Sequence, residues 1–382
     1  MANVSSSLKD YTFFAVVVGG GWHQKHTCSY GLQEEEDMEI ERQLKLINKP
    51  PLKTIQTEYG DVIDCIDIHK QLAFDHPLLK NHKIQMRPSF PLKGVTNEAS
   101  SIANQIKVGL NSKGCPTGTV PIRRTRKEDL IRFKTFASIP PTAREVPGSH
   151  VATLKTLSRT PERALHGAKA YISAYNPSVA ADQFSSAQMW IENGPFDQTN
   201  SIQAGWIADS YHKTGCWDIL CPGFVQISKE VSLGEALTNT SIYDGDQYEM
   251  MVQIYQDQVS GNWWFVFTER YIHVGYWPKS IFTELAMGAT DVSWGGRTSG
   301  RPEVPSAQMG SGHFPDGNLR HSSFFRQIEY VNTSYVLQGP DPDDTRVYVD
   351  KPDCYNLDDE GDQKGIMGRT FIFGGPGGNC WS

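Results

Sequence analysis

No apolar run in this sequence approaches the roughly 18 to 20 residues that a membrane-spanning helix requires, so no membrane span is expected. A basic surplus is missing too: 43 Asp and Glu face 36 Lys and Arg, for a net charge of -7. That balance argues against nucleic acid, or a membrane surface, held by a general basic field. One local exception is the stretch from Ser101 to Phe136, where eight Lys and Arg meet only Glu128 and Asp129; it reads as a solvated or acid-facing pro-region. Long amphipathic helices are absent from the second half, and no internal repeat stands out. Gly19, Gly20 and Gly21 follow an apolar run but lack the spacing and following helix of a dinucleotide loop, so no nucleotide or other cofactor is expected.

Cysteines are few, and none forms the tight two-residue knuckle with nearby histidines that marks a zinc site, so metal ranks below disulfide. Of the seven, Cys28, Cys65 and Cys115 lie early. Among the late four, Cys216 with Cys221 can close a small loop, and Cys354 with Cys380 can staple the C-terminal strand. An odd count leaves one thiol over, most simply Cys28 if it belongs to a removed leader.

What is present is enough for two or three domains: 382 residues, 38% of them hydrophobic. Lys9, the apolar run Tyr11 to Val18 and the three glycines imitate a signal peptide, although the run is short and includes Tyr11 and Thr12. Residues 1–33 therefore read as a leader with an atypical, degenerate signal. From Glu34, apolar residues recur at Ile40, Leu44 and Ile47, which gives a helix ended by Pro50 and Pro51. A hairpin follows around Tyr59-Gly60-Asp61, and Thr125 with Glu128 forms a capping box for a basic helix reaching about Phe136. This small α+β pro-domain spans 34–136. Prolines and basic residues then break all periodicity, so 137–163 reads as a linker, with Arg144, Lys155, Arg159 and Arg163 open to proteases.

From 164 to 382 the texture is one of short strands set apart by Gly, Pro, Asn and Asp. Ten segments qualify, from AKAYISAY at Ala168 to GRTFIFGG ending at Gly375, with Pro278 to Met287 as the one short helical candidate. The fold class is mainly β, an antiparallel β-sandwich. Asn239 and Asn332 open Asn-x-Ser sequons and are glycosylation candidates consistent with secretion.

Several motifs follow in order: NSIQAGW at Asn200 to Trp206, GC…CPGF at Gly215 to Phe224, GNWWF…GYWP at Gly261 to Pro278, WGGRTSGRPEVPSAQMGSGHF at Trp294 to Phe314, PDCYN at Pro352 and FGGPGGNC at the end. With them the chain resembles the neprosin family of plant secreted glutamic peptidases, over its activation peptide and then its peptidase domain. The resemblance implies a cleft with two glutamates that activate water to cut peptide bonds after proline at acidic pH, one carboxyl ionised and the other protonated. It also implies an extracellular protein whose partner is a peptide, proline-rich for preference.

Gln203 and Arg297 stand where the family carries those glutamates. Gln203 can still orient a water or donate to an oxyanion, but a guanidinium has donors only and cannot act as a base. The expected function is thus a neprosin-like hydrolase that is inactive or impaired; the alternative is a binding module for proline-rich peptides or cell-wall polymers, anchored by Arg297. Trp206, Trp294 and His313 are possible cleft residues. Glu192 and Glu303 are candidates for a relocated carboxylate, although each reads better as a surface acid. Between Trp206 and Cys216 the chain is shorter than the family pattern by about a strand and a loop, which would leave an unpaired sheet edge.

Overall fold

The structure is a computed structural model that describes residues 11–18, 33–58, 60–90, 92, 102–106, 110, 114–136, 148–195, 198–208, 222–237, 239–268 and 270–381. The N-terminal part holds β1 (Tyr11–Val18), α1 (Gln33–Ile47), β2 (Lys53–Gln56), β3 (Val62–Asp67), β4 (Asn104–Gln105), β5 (Thr119–Arg123) and α2 (Lys127–Phe136). Then come β6 (Ser149–Thr156), β7 (Gly167–Ser173), β8 (Phe184–Asn193), β9 (Asn200–Ala208), β10 (Val225–Gln226), β11 (Tyr248–Gln256), β12 (Trp263–Phe267) and β13 (Ile272–Trp277). The last seven are β14 (Asp291–Ser299), β15 (Met309–Gly310), β16 (Ser323–Val331), β17 (Leu337–Gln338), β18 (Thr345–Val349), β19 (Asn356–Asp362) and β20 (Arg369–Gly375).

The N-terminal helix is α1, and a small three-stranded sheet follows it. β2 and β3 make the hairpin, and β5 joins the free side of β3. Buried Arg123 ties the unit together between Asp61 and Asp129. The start of α2 is capped differently from the expected box: the Asp129 carboxylate accepts from the Arg126 amide at 2.8 Å, while the Thr125 amide donates to Asn48. A disulfide joins Cys65 to Cys115, a pair that spacing alone did not single out.

Two antiparallel sheets build the sandwich. The first runs β1-β9-β8-β14-β6-β18. The second runs β10-β13-β12-β11-β7-β16-β20-β15, with β4 added in parallel beside β11 and β17 and β19 attached to β16 and β20. Alternation decides which side chains face inward. Met189, Ile191, Ile202, Trp206 and Trp294 of the first sheet meet Ile172, Val252, Phe265, Phe325 and Phe373 of the second in one core. The helical candidate at Pro278 to Met287 is two short 3-10 turns, Lys279–Ile281 and Glu284–Met287. Cys354 and Cys380 form the expected disulfide. Cys28, Cys216 and Cys221 lie outside the described residues.

One expectation is corrected, and a second segment takes on a regular structure that its reading did not include. Residues 149–156, placed in a linker, are β6, a strand held between β14 and β18, with Val151, Ala152 and Leu154 fully buried. Prolines and basic residues on both sides hid its His-Val-Ala-Thr-Leu alternation. Residues 11–18, read as part of a leader, form the edge strand of the first sheet, antiparallel to β9 from Tyr11 opposite Ala208 to Val18 opposite Ser201. A run of aromatic and β-branched residues suits a strand as well as it suits a leader.

Candidate active site

The face of the first sheet turned away from the core is polar. Along β8 the residues Ser186, Gln188, Trp190 and Glu192 project to that side, because Ala187, Met189 and Ile191 project into the core. Register adds their neighbours: Gln203 stands opposite Trp190 and Ser201 opposite Glu192, while Gly295 stands opposite Gln188 and Arg297 opposite Ser186. Directly opposed residues share a face. Gln188, Glu192, Ser201, Gln203 and Arg297 are therefore on one surface, and each is at most 7% exposed.

Hydrogen bonds orient this cluster. Gln188 Nε2 donates to Gln203 Oε1 at 2.7 Å, which turns the Gln203 amide so that its Nε2 donates to Ser201 Oγ at 3.1 Å. Because Ser201 faces Glu192 across the strand pair, the donor end of Gln203 points toward the Glu192 row. One strand and two residues separate Gln203 from Glu192, on the order of 8 Å between Cα atoms. Gln203 and Arg297 are two strands and four residues apart, on the order of 15 Å along the sheet, with Gln188 midway on the same diagonal.

Glycines shape the row in which Gln188 lies. A Cβ on Gly205 would come within 2.0 Å of the Ala187 carbonyl oxygen, and one on Gly295, whose φ is +152°, within 2.1 Å of the Ala152 carbonyl oxygen. The strands approach too closely there for any side chain, so nothing projects on either side of Gln188 in its row. Gly296 faces the core, where a Cβ would meet Met309 and Phe373 at 2.6 Å. The glycines of the Trp294 motif thus serve strand packing.

Arg297 is part of the polar face. Its Nε donates to Ser149 Oγ at 2.7 Å, and Ser149 Oγ donates to the Thr298 carbonyl at 3.0 Å. Burial lowers the guanidinium pKa to about 10, with the charge of Glu192 acting in the opposite direction. It stays a cation at neutral and acidic pH, and the attraction with Glu192 is mutual.

The structure separates the other candidate residues from this face. Trp206 and Trp294, considered as possible cleft residues, are core residues with no exposed surface, and Trp206 Nε1 donates to the Ser173 carbonyl in the opposite sheet at 2.8 Å. His313 is exposed and packs against Tyr243 with ring centroids 4.2 Å apart. Its backbone amide meets Ser311 Oγ at 3.3 Å, and Asp316 pairs with His321, so no Ser-His-Asp arrangement forms. Glu303 is an exposed turn residue, as expected. Glu192 departs from its reading as a surface acid, being 7% exposed and on the face of Gln203.

Asn239 is exposed. Asn332 is half-buried; its Nδ2 donates to Gln338, and its Oδ1 accepts from the amides of Ser334 and Val336. Among the described residues no group of three or more His, Cys, Asp or Glu could hold a metal ion. Sequence reasoning missed Gln188, Ser201 and Ser149, whose place at the site depends on register. It also missed a buried pair on the core side of β6, His150 Nδ1 with Asp350 Oδ2 at 2.8 Å, packed by Tyr355 and Trp381.

Fold and site together define a two-sheet β protein with a buried amide, carboxylate and guanidinium on one sheet face and an N-terminal α+β unit packed on the other sheet. Residues 181–376 match the family model Neprosin, and residues 54–168 match the Neprosin activation peptide. The first match alone covers more than half of the chain, which belongs to the neprosin family. By family it is a neprosin-like peptidase. The activation-peptide match runs through all of β6 and into β7.

Proposed function

We propose that this chain is an impaired neprosin-type peptide hydrolase in which the paired-glutamate chemistry is replaced by Gln203 together with Glu192. The observation that carries this reading is the placement of Glu192: a buried carboxylate on the face of Gln203, one strand away, toward which the Gln203 amide is turned. In this reading Glu192 takes a proton from water, the water oxygen bonds to the scissile carbonyl carbon, and Gln203 donates to the developing oxyanion. The proton then passes to the leaving amine nitrogen as the C–N bond breaks.

Arg297 occupies the second family position. It cannot accept a proton, and it acts as a fixed positive charge that steadies Glu192. A single carboxyl beside an amide supplies less than two carboxyls sharing one proton, which is why activity is reduced. The substrate class is proline-containing peptide, cut at acidic pH, and the protein is secreted. Two disulfides are compatible with that compartment, and among the described residues no helix is long and apolar enough to cross a membrane.

Incubation at mildly acidic pH with proline-containing peptides tests the reading. Slow cleavage, lost in Gln203→Ala, is the expected result. No cleavage above that control contradicts it, and binding without cleavage would favour the binding module instead.

A further inference from the structure

The N-terminal region supplies parts to both sheets of the sandwich. β1 is the edge strand of the first sheet, paired with β9 over eight residues. β4 extends the second sheet: the Asn104 amide donates to the Gln247 carbonyl at 2.8 Å and the Ile106 amide to the Glu249 carbonyl at 2.9 Å. Ile106 reaches the main core, and Gln105 Nε2 donates at 2.8 Å to Glu249, the fully buried partner of Arg326.

The outer face of the second sheet is apolar and covered from the same source. Val225, Met251, Trp264 and Tyr276 form a second cluster there, closed over by Ala73 with Phe74, Ile84 and Leu92 packed against it. Polar groups along this contact are matched as well. The Gln226 amide donates to Gln71 Oε1 and the Gln226 carbonyl accepts from Gln71 Nε2, both at 2.8 Å. Tyr276 Oη bonds His82 Nε2 at 2.9 Å and accepts the Gln85 amide at 2.8 Å. The Asp257 carboxylate accepts from Gln85 Nε2 at 3.0 Å and from Ser89 Oγ at 2.7 Å.

Loss of this region would expose a broad aromatic face and strand three buried polar groups. The activation-peptide match points the same way: losing all of it would pull β6 from between β14 and β18. We propose that residues up to about Phe136 are a lasting partner of the sandwich, docked on the outer face of its second sheet. A cut between Phe136 and Gly148 leaves the two pieces as one complex. This does not depend on which residue activates water.

The test starts from the full chain carrying a site-specific protease sequence inserted between Phe136 and Gly148, folded, cut, and run on gel filtration at about 1 μM, where a complex weaker than micromolar falls apart. Co-elution at the uncut volume, with a one-to-one native mass, is expected. Separation of the pieces, or precipitation of the larger one, overturns the proposal. If the insertion itself prevents folding, a second variant carries the protease sequence in place of residues 139–145, which keeps Cys65 and Cys115 on one piece, and the same two outcomes decide. In the cut complex Gln71→Ala is expected to speed dissociation roughly tenfold, since it removes two buried hydrogen bonds; an unchanged rate would overturn the assigned docking face.

Discussion

Replacing Arg297 by Met tests whether the polar face works as a coupled unit. The substitution removes the bond from Nε to Ser149, a charge-assisted hydrogen bond worth about 1.5–3 kcal/mol. It also removes the attraction between the guanidinium and Glu192, which stand one strand and six residues apart in register and interact at a distance, worth on the order of 1 kcal/mol. Relief from burying the guanidinium and better apolar packing by Met act the other way, by about 1–4 kcal/mol. The net expectation is a loss of about 1 kcal/mol. Glu192→Gln removes the same attraction and should cost about 1 kcal/mol, and the double variant should lose about 1 kcal/mol less than the sum of the two. The four proteins are compared by urea unfolding near pH 6. A coupling energy of about 1 kcal/mol is expected; single effects that add to within about 0.3 kcal/mol would show that Arg297 and Glu192 do not act on each other.

Acid should destabilise the fold in two stages. Burial lowers the pKa of His76, His82, His166 and His273 from 6.5, so below that value the unfolded chain takes up protons that the folded one resists, and stability falls with pH. For Asp257 burial raises the pKa, but donors on Ser260, Gln85 and Ser89 outweigh it and leave it below 3.8; its contribution is present above that value and lost as pH falls through the lowered one. A melting temperature that holds constant from about pH 7 to 5 would refute the histidine part. Gly295→Ala, with its Cβ placed 2.1 Å from the Ala152 carbonyl oxygen, should prevent normal folding, while Gly365→Ala, with nothing within 4 Å, should cost only about 1 kcal/mol; equal expressed yields and melting points would contradict this. Joint replacement of Cys354 and Cys380 by Ser opens a 26-residue loop and should cost about 3 kcal/mol in urea unfolding, and no loss would show the staple to be idle.

Much of the sandwich is legible in sequence because its strands alternate cleanly between turn residues: Met189 and Ile191 inward, Gln188 and Trp190 outward. β6 escaped notice since its alternation is short and flanked by prolines and basic residues. The run Tyr11 to Val18 is apolar and β-prone, and its pairing with β9 is a matter of register that sequence does not carry. At the site, the same sequence parity that places Gln188 and Trp190 on one face also places Glu192 there. What sequence could not supply is the register that sets β9 and β14 beside β8, nor the burial that makes this outer face unlike a solvated one. The Trp-Gly pairs misled in the opposite direction. Trp206 and Trp294 suggested a lined cleft, while their strand positions send both into the core.

The most direct test of the account is kcat/KM for a proline-containing peptide, measured for the wild type and for Glu192→Gln from about pH 3 to 7. Loss of a general base typically costs about 100- to 10,000-fold. The account predicts a loss of that size in Glu192→Gln, at every pH where the wild type cleaves, with folding confirmed by an unchanged circular dichroism spectrum. Wild-type cleavage that continues undiminished in Glu192→Gln would contradict it.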